Sequence, residues 1–160
     1  MPTPDPVSVH AACLDALVTT ISALNLIEIS AVGTQEVVSD IGKVGDASVT
    51  GDDGNLAGSF VSVSPWGSET IEDFTNAREI TTYRCLVAVI AKRDDPSIAR
   101  KLEWRASIRK ALQRLRINVT EIRQTTLELN PVVDARLWRD KGVYFSSFVV
   151  LCHSYEERAI

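Results

Sequence analysis

The chain has 160 residues, of which 45% are hydrophobic and 24% charged, enough to build one core and too few for two full domains. Its formal net charge of −4 argues against a protein whose main task is to coat nucleic acid. No apolar run approaches the roughly 18 residues that a membrane-spanning helix needs, so we expect one soluble domain over residues 1–160.

The N-terminal segment MPTPDPVSVH lacks the basic and apolar blocks of a secretory signal, which predicts synthesis in a reducing cytoplasm. The three cysteines, Cys13, Cys85 and Cys152, are odd in number, far apart and surrounded by apolar residues. We therefore expect free thiols that pack as small hydrophobic side chains.

The first third of the chain predicts a helix, a short strand and a long loop. Asp5-Pro6 is typical of a helix start, and apolar residues recur at helical spacing to about Asn25. Residues 26–31 alternate as a strand. Residues 33–58 are rich in Gly, Asp and Ser, and Asp53-Gly54 suits a hairpin turn. We expect a flexible, protruding acidic loop or hairpin there.

Two strands are predicted next, over residues 59–65 and 78–92, with an acidic connection between them. The second strand would extend roughly 45–50 Å, whereas the helix predicted after it spans about 30 Å. Either a bulge bends this strand, or its polar first half (REITTYR) projects as an exposed edge, which proteins usually pair with something.

The last third predicts a helix between strands. Asp95-Pro96 is expected to begin a helix to about Leu115, followed by strands over residues 119–129 and 143–155. The fold class is therefore α+β, with an antiparallel or mixed sheet of about four to five strands and two helices packed on one face. The expected buried stripe of the second helix consists of Ile98, Leu102, Ile108, Leu112 and Leu115.

Patterns typical of a cofactor, metal or catalytic site are missing from the sequence. Gly51 and Gly54 flank two aspartates that would repel phosphate, and the aspartates lack the spacing of a calcium loop. Cys152 and His153 are adjacent on a strand and face opposite sides, so they cannot share a zinc ion. The acidic residues of the 66–77 connection have no neighbouring motif that would tune them for acid–base work. We expect no catalytic residue, no cofactor and no metal, and hence no enzyme.

Charge is segregated along the chain. Residues 36–79 contain nine acidic and two basic side chains, whereas residues 92–116 contain nine basic and three acidic ones. Complementary surfaces on one small domain favour a head-to-tail contact, which closes a ring when the rotation permits.

Lys101 and Arg105 fall inside the predicted buried arc of the second helix. Within one chain they must extend past the sheet edge to water or meet carboxylates. Alternatively, Arg105 and Arg109 pair with acidic residues of a neighbouring subunit. Trp66 and Trp138, in predicted polar loops, either anchor an interface or cap the ends of the core. The subunit-interface candidates are Arg105, Arg109, Lys101, Asp52, Asp53, Trp66, Trp138 and Arg84.

Three segments carry a family resemblance: VSVSP (61–65), the long run REITTYRCLVAVIAKRDDPSIARKLEWRASIRKAL (78–112) and the closing VYFSSFVVL (143–151). With the order of elements, they make the chain similar to the tail terminator (tail completion) family of long-tailed bacteriophages, which is related to small head–tail joining and neck proteins. The resemblance covers nearly the whole chain and rests on pattern rather than on a signature motif.

The resemblance implies a structural virion protein that forms a hexameric ring, caps the tail tube, stops its polymerisation and joins the tail to the neck. The implied partners are other copies of itself, the tail tube protein and a neck, stopper or connector protein. It implies neither membrane binding nor specific nucleic-acid binding, even where DNA passes through the ring lumen. The implied location is the phage tail or neck, after assembly in the host cytoplasm.

Two other functions stay open from the sequence. One is a head–tail connector or stopper protein that forms a ring on the portal side. The other is a small ligand-binding domain or enzyme with a pocket between helix and sheet.

Overall fold

The computed structural model describes residues 8–35, 43–45, 47–51, 55–73, 75–117 and 121–157. The predicted α+β class is confirmed, although the described residues form three helices rather than two and a main sheet of six strands rather than four to five. The helices are α1 (Val9–Ser22), α2 (Ile98–Gln113) and α3 (Ala135–Lys141), and the strands are β1 (Ala31–Thr34), β2 (Lys43–Val44), β3 (Ala47–Ser48), β4 (Phe60–Pro65), β5 (Thr70–Asp73), β6 (Arg78–Lys92), β7 (Ile122–Leu129) and β8 (Val143–Glu157).

The main sheet is mixed. Its strand order is β1-β4-β6-β8-β7, and β5 pairs with β6 outside this path. Strands β1 and β4 are parallel, and all other pairs in the sheet are antiparallel. The β6–β8 ladder runs without a register shift from Arg78 opposite Glu157 to Lys92 opposite Val143. This long ladder is the centre of the fold.

The central strands are apolar on both sides, although helices cover only one face of the sheet. On one face, Val87 and Val89 of β6 and Phe148 and Val150 of β8 pack beneath α1 and α2. On the other face, Leu86 of β6 packs with side chains of β8 that no helix covers. Strict alternation along each strand sends successive side chains to opposite faces.

Both expectations for the first half of β6 are wrong. No bulge interrupts β6, and residues 79–82 pair with β8 on one side and with β5 on the other. The acidic connection predicted for residues 66–77 contains β5, which therefore forms the exposed edge instead. All four residues of β5 are exposed.

The starts of both long helices differ from the prediction. Ser8 caps α1 by accepting a hydrogen bond from Ala11 N at 3.2 Å, whereas Asp5-Pro6 lies outside the described residues. Ser97, rather than Asp95, caps α2 by accepting from Arg100 N at 3.3 Å. In each case a serine hydroxyl satisfies a backbone N–H that the first helical turn leaves free.

The strand predicted for residues 26–31 is also misplaced, because the observed strand begins at Ala31. Asn25 and Glu28 have positive φ angles of 47° and 67°, which extended backbone does not adopt. The chain therefore turns between α1 and β1.

The described part of residues 33–58 packs against the sheet. Val44 and Val49 are buried and form a small cluster with Phe60. Gly33 allows the β2–β3 hairpin to approach β1, since a Cβ atom at Gly33 would lie 2.7 Å from Gly45 Cα and N. A protruding acidic loop is not confirmed, and the Asp53-Gly54 turn lies outside the described residues. None of the helices in the described ranges is long and apolar enough to cross a membrane.

Candidate functional site

Lys101 is completely buried beneath α2. Its ammonium group donates hydrogen bonds to the carbonyl oxygens of Arg93 and Pro96, at the turn between β6 and α2. It also lies 5.8 Å from the centre of the Trp138 ring and 5.6 Å from that of Tyr144. Burial lowers the pKa of Lys101 below its usual value, against the opposing effect of nearby carboxylates. This cation holds the β6–α2 turn against α3.

Arg105 is the second buried cation, and only 8% of it is exposed. Its guanidinium donates to Ser146 Oγ, to Ser147 O at 3.3 Å and to Asn130 O at 2.7 Å. The same group lies 4.3 Å from the centre of the Phe148 ring. Arg105 thus satisfies carbonyl oxygens where β7 has ended and the edge of β8 is no longer paired.

Both buried cations have partners within the chain, but these are carbonyl oxygens, a serine hydroxyl and aromatic rings rather than the water or carboxylates we expected. Ile98 and Leu102, predicted to be buried, are instead 50% and 45% exposed. The helix is rotated so that Lys101, Trp104 and Arg105 face the sheet. The subunit-interface role of the two cations stays a prediction, and Arg109 is the one cation of the three that is exposed.

The remaining interface candidates fall into three environments. Trp138 lies on α3, half-buried against the core, with its ring edge-on to Tyr144 at 6.4 Å, as the core-capping alternative predicts. Trp66 is 47% exposed on the β4–β5 connection, and Arg84 is half-buried on β6 near Gly67. Asp52 and Asp53 lie outside the described residues.

Two oppositely charged surfaces lie on different elements of the fold, one at a strand and one at a helix. We call Glu69, Glu72 and Asp73 the acidic edge, since all three are exposed on or just before β5. We call Arg109, Lys110 and Arg114 the basic flank, since they are exposed on the outer side of α2 and at its end. In the described part of the chain no ion pair is formed by any residue of the basic flank.

A groove of about 320 Å³ lies on the helix-free face of the sheet. Its floor consists of small and apolar side chains from the neighbouring strands β4, β6 and β8. Its walls come from the residues that follow β1 and β4 and from the β7–α3 connection. We call it the helix-free groove, and it is lined by Gln35, Ser62, Ser64, Trp66, Leu86, Ala88, Asn130, Pro131, Asp134, Phe145 and Ser147.

No protein-family model and no curated protein matches the chain.

The three cysteines are free and buried, as predicted, but they also meet in the core. Cys13 of α1 hydrogen-bonds with Cys152 of β8, which also hydrogen-bonds with Cys85 of β6. The bond to Cys152 and burial raise the pKa of Cys13 far above its usual value. For Cys152, the bond to Cys13 lowers the pKa, but the bond to Cys85 and burial outweigh it and raise the pKa to about 12. Such thiols stay protonated and are poor nucleophiles.

A polar cluster lies at the end of the sheet nearest to the start of α1. His10 Nε2 lies 3.0 Å from Arg84 O and His10 Nδ1 lies 3.8 Å from Glu69 Oε1. The Tyr83 hydroxyl donates to both carboxylate oxygens of Glu156 at 2.9–3.0 Å, and burial followed by this bond raises the pKa of Tyr83. These contacts hold α1 and β6 to β8, and the described residues include no group of side chains that could hold a metal ion.

Proposed function

We propose that this protein is a structural component of a phage tail, a ring-forming tail terminator that caps the tail tube and joins it to the neck. The segregation of charge between the acidic edge and the basic flank carries the proposal. The acidic edge lies at β5, which pairs with β6, and the basic flank belongs to α2, which contacts α1 and β7.

The position of the two surfaces favours a head-to-tail contact. A two-fold dimer through either surface would place like charges of the two subunits together. A head-to-tail contact instead sets the acidic edge of one subunit against the basic flank of the next and so pairs opposite charges. Ile71, which is 62% exposed at the centre of β5, adds an apolar contact inside such an interface. Repetition of the same rotation gives a ring.

The groups that could react also support a structural role. The raised pKa values of Cys13 and Cys152 make both thiols poor nucleophiles, and the helix-free groove has Asp134 as its one ionisable side chain among the described lining residues. General acid–base chemistry needs a second group whose pKa differs. The proposal is therefore a protein that acts through assembly, without a cofactor.

Charge reversal tests the interface. Arg109→Glu or Glu72→Arg alone should reduce the assembly to smaller species, and the two changes combined should restore it because each contact again joins opposite charges. The mass is measured by size-exclusion chromatography with light scattering at low and high salt, and negative-stain imaging shows whether rings form.

The matched control is Arg136→Glu, which reverses an exposed charge on α3 away from both surfaces. It should leave the mass unchanged. A wild-type protein that stays monomeric in solution and on purified tail tubes would overturn the proposed function. Rings that persist in both single variants would overturn this interface while leaving the function in place.

A further inference from the structure

Strands β5 and β7 form two outer edges of the main sheet, on opposite sides of the β6–β8 ladder. Strand β8 occupies one edge of β6 along its whole length, so β5 pairs with the other edge, and β7 pairs with β8 on the side away from β6. One row of paired residues crosses all four strands, from Thr70 through Thr82 and His153 to Gln124. Within the described ranges no strand pairs with the outer edge of β5 or β7.

Both edges are accessible to another strand. Every residue of β5 is exposed, including Ile71 at 62%, and Leu129 of β7 is 56% exposed. An edge strand presents N–H and C=O groups that an added strand can pair with, and proteins usually bend, shorten or cover such strands. Strand β7 has eight residues and no proline, and its one register shift lies at its start, between Ile122 and Gln124. Residues 124–129 are therefore a regular template for pairing.

The strand directions fit a second copy of this chain. Each neighbouring pair in the series β5, β6, β8, β7 is antiparallel, so β5 and β7 themselves run in opposite directions. A copy that is displaced sideways along the sheet, without being turned over, therefore brings its β5 antiparallel to β7 of the first copy. Each copy then still has one unused edge of each kind. Such a contact is head-to-tail and repeats until a ring closes.

The side chains restrict the register of this contact. Ile71 lies on the helix-covered face of the sheet, as Leu127 does, because strand residues alternate between faces. When the faces are kept, the residues of β7 that can lie opposite Ile71 are Thr125, Leu127 and Leu129. Pairing with Leu129 would set Glu72 directly opposite Glu128, which like charges oppose. Each of the other two registers places Ile71 opposite or diagonal to Leu127, so that two apolar side chains meet.

The charges of the domain also favour a second copy. Helix α2 contacts β7, whereas α1 contacts β1, β4 and β6, so α2 is the helix nearer to the β7 edge. Addition of β5 to β7 therefore brings the acidic edge of one copy towards the helix that carries the basic flank of the next. Strand pairing and charge pairing are compatible in one interface.

We propose that copies of this chain join by sheet extension, in which β5 of one copy pairs antiparallel with the outer edge of β7 of the next. The inference rests on the proposed ring and identifies the strands that hold it together. Main-chain hydrogen bonds between β5 and β7 fix the angle between neighbouring subunits, and the charged surfaces select the partner.

Disulfide trapping in the full chain tests the contact. Thr70→Cys is combined with Thr126→Cys or with Glu128→Cys, the exposed positions that lie opposite it in the two allowed registers. Under mild oxidation one of these pairs should give a ladder of covalent species beyond the dimer, because each copy carries one thiol of each kind. The native cysteines are buried and should not contribute.

Two control variants separate this contact from others. Thr70→Cys with Thr125→Cys places the second thiol on the opposite face of β7 and should give no ladder. Thr126→Cys alone should stay uncrosslinked. A covalent dimer of that single variant would show a two-fold contact between β7 strands and would overturn the inference.

Hydrogen exchange of the wild-type protein is a second measurement that needs no substitution. In the assembled protein, about every second amide of residues 124–129 should exchange at least about tenfold more slowly than in the smaller species released by salt, since alternate N–H groups of an edge strand point outward. Strand β4 lies between β1 and β6 within one chain and should exchange equally in both samples.

The possible results separate this inference from the proposed function. Rings that give no ladder with either cysteine pair, or that leave the exchange of β7 unchanged, overturn sheet extension and leave the tail-terminator proposal in place. A protein that stays monomeric in solution and on purified tail tubes overturns both.

Discussion

Replacing Arg105 with methionine tests whether this buried cation is needed inside the protein. The substitution keeps most of the aliphatic volume and removes three hydrogen bonds, to Ser146 Oγ, Ser147 O and Asn130 O. Hydrogen bonds from a charged donor contribute about 1.5–3 kcal/mol each, so the gross loss is about 5–9 kcal/mol. Removal of a buried charge returns several kcal/mol of desolvation free energy. The groups left behind are neutral, so we expect a net loss of about 2–4 kcal/mol in the free energy of unfolding.

The assay is urea denaturation followed by far-UV circular dichroism at two protein concentrations tenfold apart. A loss caused inside the chain is the same at both concentrations, whereas a loss caused at a subunit interface is not. Arg105→Lys should lose nearly as much as Arg105→Met, because an ammonium group cannot match the planar fork that reaches three acceptors. The control Arg136→Met, at an exposed site on α3 away from both charged surfaces, should stay within about 0.5 kcal/mol of the wild type. An Arg105→Met protein as stable as the wild type would refute the reasoning.

Two further predictions concern packing and pH. Gly33→Ala places a Cβ atom 2.7 Å from backbone atoms of Gly45 and should cost at least about 2 kcal/mol, more than Gly142→Ala, where the space is open and only the positive φ of 64° is strained. Denaturation of both variants checks this, and an equal loss would contradict it. The folded pKa of Cys152 is raised from 9.0 to about 12, so below pH 9 this thiol has no effect on stability. Between pH 9 and 12 the unfolded thiol ionises and the folded one does not, so stability falls by up to about 1.4 kcal/mol per pH unit. Unfolding measured from pH 8 to 10.5 should show a shallower decline in Cys152→Ala than in the wild type, and identical slopes would count against this origin.

The long strands could be predicted from the sequence because their side-chain pattern follows from burial. Residues 78–92 have apolar side chains on both faces in their second half, and the structure places that half between β4 and β8. Strand β5 could not be predicted in this way, since all four of its residues are exposed and no apolar alternation marks it. Helix α3 has seven residues, none of them buried, and carries too short a pattern for its period to be recognised.

The orientation of α2 shows a limit of hydrophobic patterning. The pattern places Ile98 and Leu102 inside because it assumes that cations face water. The fold supplies carbonyl acceptors at both positions where a cation is buried, at the β6–α2 turn for Lys101 and at the free edge of β8 for Arg105. The carbonyl acceptors of Arg105 belong to Asn130 and Ser147, far from it in sequence, so no local pattern reveals them, whereas those of Lys101 lie in the turn just before α2. The one local signal of this helix orientation was that Lys101 and Arg105 fall within the predicted buried arc of α2.

The buried cations also restrict which surfaces remain for partners. Lys101 and Arg105 use their hydrogen-bonding capacity within the chain, so an interface that enlisted them would first have to break contacts that hold α2 to the sheet. The exposed charges of the basic flank form no ion pair within the described residues, so a partner can meet them without breaking one. Exposed ion pairs are screened by salt, and buried ones much less so. Assembly through these two surfaces should therefore weaken steeply with ionic strength, while the stability of the single domain changes little.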